Sequence, residues 1–464
     1  MSVRFPFRNQ FGRSSSSRDM TEGEPMKLIF IFSIPLLLGN LFQQFYSLVD
    51  TIIVGRLLGT NALAAVGSTG AMNFLILGFV FGLTSGFAVI TAQKFGAKDM
   101  DGLRRSFAEN IKLNAVSTVV FTALSLLLAK PVLILTNTPL EILSDAYAYI
   151  AVIFTGIFSM VLYNTSSCIL RALGDSKSPL YYLIIASILN IILDIAFIVN
   201  FNMGVSGAAW ATVVSQSVSG ILSVIHILRK FPMLRLRKKD FRTDWWFSHQ
   251  HLKIGLPMAF QFSITAVGVI ILQGALNLFG SENIAAYTAA QKVEQLVAVG
   301  AGTFGVTMAN YAGQNLGARR IDRIKEGTIK GSILTVAFSL IAMAIALIFP
   351  DELTSLFIDA STASGQEVIK ASRTYLYGTA PFYPALFLIF IYRNVLQSIG
   401  KGFMPLMAGF AELIARTVAA YTFPIVFGFL GVALAGPFAW FAAVIPLCIA
   451  YFVIIRKASL YRVP

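Results

Sequence analysis

Asp50 and Asp194 are carboxylic acids set inside long apolar stretches of the chain. An ionisable side chain within a membrane span is costly, about 3 kcal/mol on insertion scales, and usually faces an interior cavity on an ion or substrate path. Counting back from Asp50 by four and seven residues gives Tyr46 and Gln43, so these three share one helical face. Asn190 lies one turn before Asp194, and Ser187 nearly another turn back. Each acid therefore heads a polar stripe. The plain alternative for Asp50 is a solvated residue near a helix end; apolar neighbours on both sides keep Asp194 from an obvious water boundary.

Two like charges in a poorly hydrated cavity resist being ionised together, so one site of the pair can exchange a proton near neutral pH. The same oxygens, with the amide of Asn190 and a hydroxyl from a neighbouring span, also suit a small hard cation such as Na⁺. Either ion would neutralise the site. A cationic substrate in the same cavity competes for that negative charge, and mutually unfavourable binding of ion and substrate is the thermodynamic content of antiport.

Elements that could hold such a pair are plentiful. Hydrophobic residues make up 56% of the 464, charged residues only 12%, and mean hydropathy is +0.74; a soluble domain carries nearer about a quarter charged. Apolar runs long enough to cross about 30 Å of hydrocarbon fall at 28–54, 62–92, 107–129, 141–170, 179–200 and 206–228, then at 254–279, 284–312, 329–349, 369–397, 403–427 and 430–455. The expected fold is all-α and polytopic, with twelve transmembrane helices in two pseudo-symmetric six-helix bundles. No segment of period two argues for a transmembrane barrel.

The two halves are copies. Gln93-Lys94-Phe95-Gly96-Ala97-Lys98 returns as Gln314-Asn315-Leu316-Gly317-Ala318-Arg319 at an offset of 221. Ile34-Pro35 is echoed by Leu256-Pro257 at 222, Leu170, Gly174 and Pro179 by Leu396, Gly400 and Pro405 at 226, and Gly204-Val205 by Gly431-Val432 at 227. A duplicated bundle of membrane helices is the usual architecture of a secondary transporter. The acids escape the duplication: the match for Asp50 is Ile271 or Leu272, and that for Asp194 is Ala420. A purely architectural role would be needed in both copies, so the asymmetry favours a task performed in the first half alone.

The resulting divisions are a disordered cytoplasmic tail at 1–25, an N-terminal bundle at 26–228, a basic cytoplasmic linker at 229–251, a C-terminal bundle at 252–455 and a short cytoplasmic tail at 456–464. Lys94, Lys98, Arg104 and Arg105, the linker, and Arg319, Arg320, Arg323 and Lys325 lie on one set of connections, and the opposite set carries little beyond Arg56, Lys130, Lys370 and Arg373. Arg4, Arg8, Arg13 and Arg18 precede the first span, and Arg456, Lys457 and Arg462 follow the last, so both termini are expected in the cytoplasm. The net charge of +14 is then mostly topology, and a nucleic-acid partner is not expected because the charges are spread over loops. The linker, with Trp245 and Trp246, reads as a segment lying on anionic headgroups. Cys168 and Cys448 sit in separate apolar spans, and His226, His249 and His251 lie in or beside the linker, so neither a disulfide nor a metal framework is implied.

Pro35, the stretch Gln43-Gln44-Phe45-Tyr46-Ser47-Leu48-Val49-Asp50, then Val54-Gly55-Arg56, Gly59 and Ala64-Ala65, together with Gln314-Asn315-Leu316-Gly317-Ala318, resemble the multidrug and toxic compound extrusion (MATE) family. The likeness runs from about residue 26 to 455. It implies two six-helix bundles arranged as a V around a central cavity, exporting organic cations or other amphiphiles in exchange for H⁺ or Na⁺. It implies further that Asp50, Asn190, Asp194 and Thr212 form the cation site, with Na⁺ a possible occupant, and that Pro35 is where the first helix bends. Gln43, Tyr46, Asn164, Ser187 and Gln261 are the expected substrate-facing wall. Some branches carry acids in the seventh and tenth spans; this chain has Gln261 and Ser263 in the seventh and no acid between Tyr375 and Gln397, so it looks like the branch that couples through its amino-terminal bundle.

Glu412 stands four residues before Arg416, which predicts an intrahelical ion pair; Glu294 is open between structural and cavity roles. The competing function is a flippase for lipid-linked precursors of polysaccharide or cell wall, which should line its cavity with unpaired arginine; only Arg171 and Arg393 qualify. A membrane enzyme is disfavoured, since no paired catalytic acids, metal cluster or activated nucleophile stand out, and no phosphate-binding loop implies ATP. The expected setting is the plasma (inner) membrane, as a monomer in the lipid bilayer, with no cofactor beyond the coupling ion.

Overall fold

The structure is a computed structural model that describes residues 19–242, 245–276 and 279–460. Its chain is built from helices because a backbone crossing hydrocarbon must pair every N–H and C=O internally. In order these are α1 (Pro25–Leu58), α2 (Thr60–Ser68), α3 (Gly70–Gly96), α4 (Met100–Leu135), α5 (Leu140–Thr155), α6 (Ile157–Ala172), α7 (Lys177–Ile195) and α8 (Val205–Lys230). The second half gives α9 (Trp245–Leu276), α10 (Gly280–Gly317), α11 (Ile321–Ile348), α12 (Pro350–Ser355), α13 (Ala363–Thr379), α14 (Tyr383–Ser398), α15 (Phe403–Phe427) and α16 (Phe429–Leu460).

Among the described residues, ten helical segments are long and apolar enough to cross a membrane, and the pair α5 and α6, bent by 44°, makes an eleventh. The twelfth expected span is α10, 38 residues long. Length suffices there, but Glu282, Gln291, Lys292 and Glu294 make its first half more polar than the others. The expected bundle of twelve spans is thus present, six per half.

Repetition in sequence becomes repetition in backbone. Lys98 and Arg319, 221 residues apart, both adopt positive φ, at 57° and 56°, and Gly174 and Gly400 do so at 84° and 81°. Each closes the same turn in its own half.

The halves meet along α1, α3, α9 and α10. A side chain at Gly82 or Gly86 would strike the backbone of Met258 and Ala259 or of Gly255, so α3 and α9 pack backbone to backbone. Phe79 meets Phe260, and Phe81 meets Phe262, edge to face at 5.3 and 5.5 Å. The first helix divides its allegiance: Ile29, Phe32 and Leu36 belong to the core of the second half, while Val54 belongs to a core of the first. Residues from Gln43 to Phe45 are exposed, whereas Ser33, Pro35, Leu36 and Gly39 are buried. The interface is therefore closed toward the basic loops and opens beyond Gly39.

Two boundaries differ from expectation. Of the tail expected to be disordered, residues 1–18, including Arg4, Arg8, Arg13 and Arg18, lie outside the described residues, but Met20 is buried and Thr21 nearly so. The linker expected at 229–251 is helical at both ends, because α8 runs on to Lys230 and α9 starts at Trp245. Helices continue past the hydrocarbon wherever basic and aromatic side chains can occupy the headgroup layer. Arg462 in the C-terminal tail also lies outside the described residues.

Candidate functional site

Asp50 lies two turns before the end of α1, and Asp194 is the second-last residue of α7. Their carboxyl groups come within hydrogen-bonding reach of each other. Asp194 is fully buried and Asn190, one turn earlier, nearly so. Asp50 Oδ1, both Asp194 carboxyl oxygens and Asn190 Oδ1 are buried without a protein donor. Two bare carboxylates in this setting would be uncompensated charges costing several kcal/mol each. A shared proton or a small cation removes that cost, and four buried acceptor oxygens provide a fitting ligand set.

The neighbours supply hydroxyls. Asn190 Nδ2 donates to Thr212 Oγ1 on α8 at 3.4 Å. Tyr46 reaches Thr212 and Gln216 with its phenol and stands beside both acids. Tyr149 on α5 lies close enough to feel the charge of Asp50 and Asp194. Directly after α7 the chain makes a π turn at Ala196–Asn200, a distortion frequent at functional sites. It follows the acid at once and seats it where α7, α8 and α1 converge.

Beside the pair a cavity of about 350 Å³ is lined by Asn40, Gln43, Gln44, Tyr46, Ser47 and Val299. Tyr46 belongs to both this cavity and the acid cluster. Asn40 Nδ2 donates to Thr303 Oγ1 of α10 at 2.9 Å, tying the cavity floor to the second half.

The same region of the second half is built differently. Leu272 and Ala420, which stand where the acids would be, are buried in an apolar cluster with Tyr287 and Tyr375. Polar groups nearby are matched in charge. Glu412 accepts from Arg416 at 2.7 Å and from Arg393 at 3.0 Å, and the Arg393 guanidinium lies against the amide of Gln261. Glu294 accepts from Gln291 at 3.0 Å and from Tyr375 at 3.3 Å and feels the charge of Arg416. Two acids face two arginines here, whereas among the described residues of the first half Asp50 and Asp194 stand together with no cation beside them.

A model of the MatE family matches residues 35–196 and 257–422, one copy in each half. The chain belongs to the MatE family. It is 30% identical over 413 residues to "Probable multidrug resistance protein YpnP" of Bacillus subtilis, covering 88% of this chain and 90% of that one. It is 26% identical over 355 residues to "Probable multidrug resistance protein NorM" of Thermotoga maritima, covering 75% of each. Among solved structures, "Outward-facing conformation of a multidrug resistance MATE family transporter of the MOP superfamily" superposes with a TM-score of 0.88 at 24% identity, covering 95% of this chain and 98% of that one. That likeness carries the fold. This MatE protein is accordingly an integral membrane transporter with the twelve-helix architecture expected from its sequence.

Of the residues singled out in the MatE sequence, Asp50, Asn190, Asp194, Thr212 and Tyr46 come together, and Gln43 lines the adjoining cavity. Ser187 is buried on α7 and donates to Leu183 O at 2.9 Å. Pro35 sits inside α1, which continues through it; Ile31 O there has no amide to accept. Two candidates lie elsewhere. Gln261 is buried in the second half, its amide 2.7 Å from that of Gln397 and its oxygen accepting from Arg393, and Asn164 is half-buried on α6. The expected Glu412–Arg416 pair forms, and it captures Arg393, so that residue is not the unpaired guanidinium a flippase needs. Sequence reasoning missed Gln216 and Tyr149. Gln216 follows Thr212 by one turn and was within reach of the same counting; Tyr149 has only its twin Tyr375, at an offset of 226, to mark it.

Proposed function

We propose that this MatE protein is a secondary active antiporter that exports organic cations or amphiphilic drugs in exchange for H⁺ or Na⁺ by alternating access. The observation that carries the reading is the approach of half-buried Asp50 to fully buried Asp194, with no protein donor for Asp50 Oδ1 or for either Asp194 oxygen among the described residues. Asn190 and Thr212 complete the cation site, and Pro35 lets α1 bend as its charge changes. Cargo enters the cavity beside Gln43 and Tyr46; Ser187, Asn164 and Gln261 lie away from its lining. An ion that neutralises the acids removes the negative charge that holds a cationic cargo, so each expels the other. The multidrug names of its relatives agree with a cavity of amides, a hydroxyl and the Tyr46 ring, which tolerates many cargoes.

The protein works in the plasma (inner) membrane with both termini cytoplasmic, as a monomer that needs no cofactor beyond the coupling ion and no nucleic acid. The test is accumulation of a fluorescent organic cation in proteoliposomes under an imposed pH gradient or an imposed Na⁺ gradient. One gradient drives transport in the parent. Asp194→Asn loses that coupling while still inserting in the membrane; unimpaired coupling in both Asp50→Asn and Asp194→Asn refutes the site.

A further inference from the structure

The six-residue element that is repeated most closely, starting at Gln93 and again at Gln314, takes no part in the cation site. It lies where the two halves meet at the basic end. Gly96, ending α3, faces the backbone of Gln314, and Gly317, ending α10, faces the backbone of Gln93. At either glycine a single added methyl would collide with the opposite glutamine's carbonyl oxygen. Side chains repeat the exchange: Gln93 Nε2 donates to Ser398 O at 2.6 Å, and Gln314 Nε2 donates to Ala172 O at 2.9 Å. Ala172 and Ser398, the ends of α6 and α14, are themselves twins at an offset of 226. On the axis between them Ala92 abuts its own twin, and a side chain added at Gly313 would meet the Ala92 methyl at 3.2 Å.

One half is bolted as well. Met20 N donates to Gln314 Oε1 at 2.9 Å, while Asn315 Nδ2 and Arg323 Nη2 donate to Met20 O at 3.1 and 3.3 Å. Met20 is buried in the core of the second half, although it leads directly into α1, whose far end carries Asp50.

We propose that the duplicated Gln-x-x-Gly elements form a two-fold latch between the bundles that closes the cavity at its cytoplasmic end, bolted on one side by the segment around Met20. The Gln and Gly shared by the two copies follow from this role, because a contact across a two-fold axis uses the same surface twice. The cation site needs only one copy; the latch needs both. Cargo loading requires these contacts to part, and re-forming them favours the outward-open state. The bolt runs into the helix that bears Asp50, so ion binding and latch opening share one rigid element. The inference rests on the proposed alternating access for its consequence in transport, and on the contacts alone for the closure.

The experiment uses the full chain with Cys168 and Cys448 replaced by serine, carrying Ala92→Cys with Gly313→Cys as a cross-linking reporter of the closed latch. Adding Gly96→Ala or Gly317→Ala lowers the cross-linking rate about tenfold by shifting the two-state equilibrium toward the open latch, whereas Gly302→Ala, with nothing near its Cβ position, leaves it unchanged. Without the reporter cysteines, the same glycine variants lower gradient-driven export by a similar factor. Should either glycine variant prove poorly folded on gel filtration, Gln93→Met and Gln314→Met, which keep the shape and lose the donated bonds, shift cross-linking in the same direction. Cross-linking at the parent rate in these variants overturns the latch; reduced cross-linking with undiminished export makes it mere packing and overturns its role. If the parent moves no cation under either gradient while the glycine effects persist, the transport reading fails and the closure stands.

Discussion

Asp194 is the residue on which the largest single effect is expected. Asp194→Asn keeps the volume and removes the charge, so coupled export should fall by about 100-fold or more, equal to roughly 3 kcal/mol, with equilibrium binding of a neutral amphiphile little changed; cation uptake in proteoliposomes measures the first, fluorescence titration the second. Asp175 offers a pH effect outside the spans. Burial pushes its carboxyl up, but hydrogen bonds from His226 and Ser178 outweigh that and hold it below the ordinary carboxylate value. A depressed value means that the native state releases this proton more readily than the unfolded chain does. The stabilisation is therefore complete above the ordinary carboxylate range and is lost as pH falls through the depressed value. Thermal unfolding in detergent from neutral pH downward should show the parent losing an increment that Asp175→Asn lacks at every pH.

At the scale of elements, the proposed cycle asks α1 to move without unfolding. Pro35 leaves Ile31 O without its helical partner, and Pro35→Ala restores that bond, a local gain of about 3 kcal/mol for a proline removed from a helix interior. Higher thermal stability with slower export is the expected pair of results; faster export would contradict a bending role. In the second half, α14 and α15 are joined by Arg393, Glu412 and Arg416. Glu412→Gln strands two arginines, each no more than 15% exposed, and should cost about 3 kcal/mol in thermal unfolding.

For the whole molecule, closure at the basic end and access from the other are two statements with one test. In the cysteine-free chain, Ser47→Cys should react with a membrane-impermeant maleimide added from the face opposite the basic loops, and Ala92→Cys should stay unlabelled from either side. Labelling of Ala92→Cys from that same face would mean that the cavity runs past the latch. The pseudo-two-fold axis lets one molecule hold both a shared and a broken symmetry: the reciprocal Gln and Gly contacts lie on the axis, and the Asp50–Asp194 pair lies to one side.

The sequence by itself determined the class, the span count and the duplication, because each is a statement about period, length and repetition that survives without coordinates. It also determined the polar stripes of α1 and α7, since Tyr46 with Asp50 and Asn190 with Asp194 are fixed by helical spacing alone. Only the tertiary structure decided that the two stripes face each other, that Tyr149 joins them and that Gln261 is taken up by Gln397 and Arg393. Those contacts join residues on different helices, from 45 to 144 positions apart in sequence, and helical periodicity carries no information across such distances. The meaning of the repeated glutamine and glycine was hidden for the same reason: repetition is visible in one dimension, and the axis that makes two copies touch exists only in three.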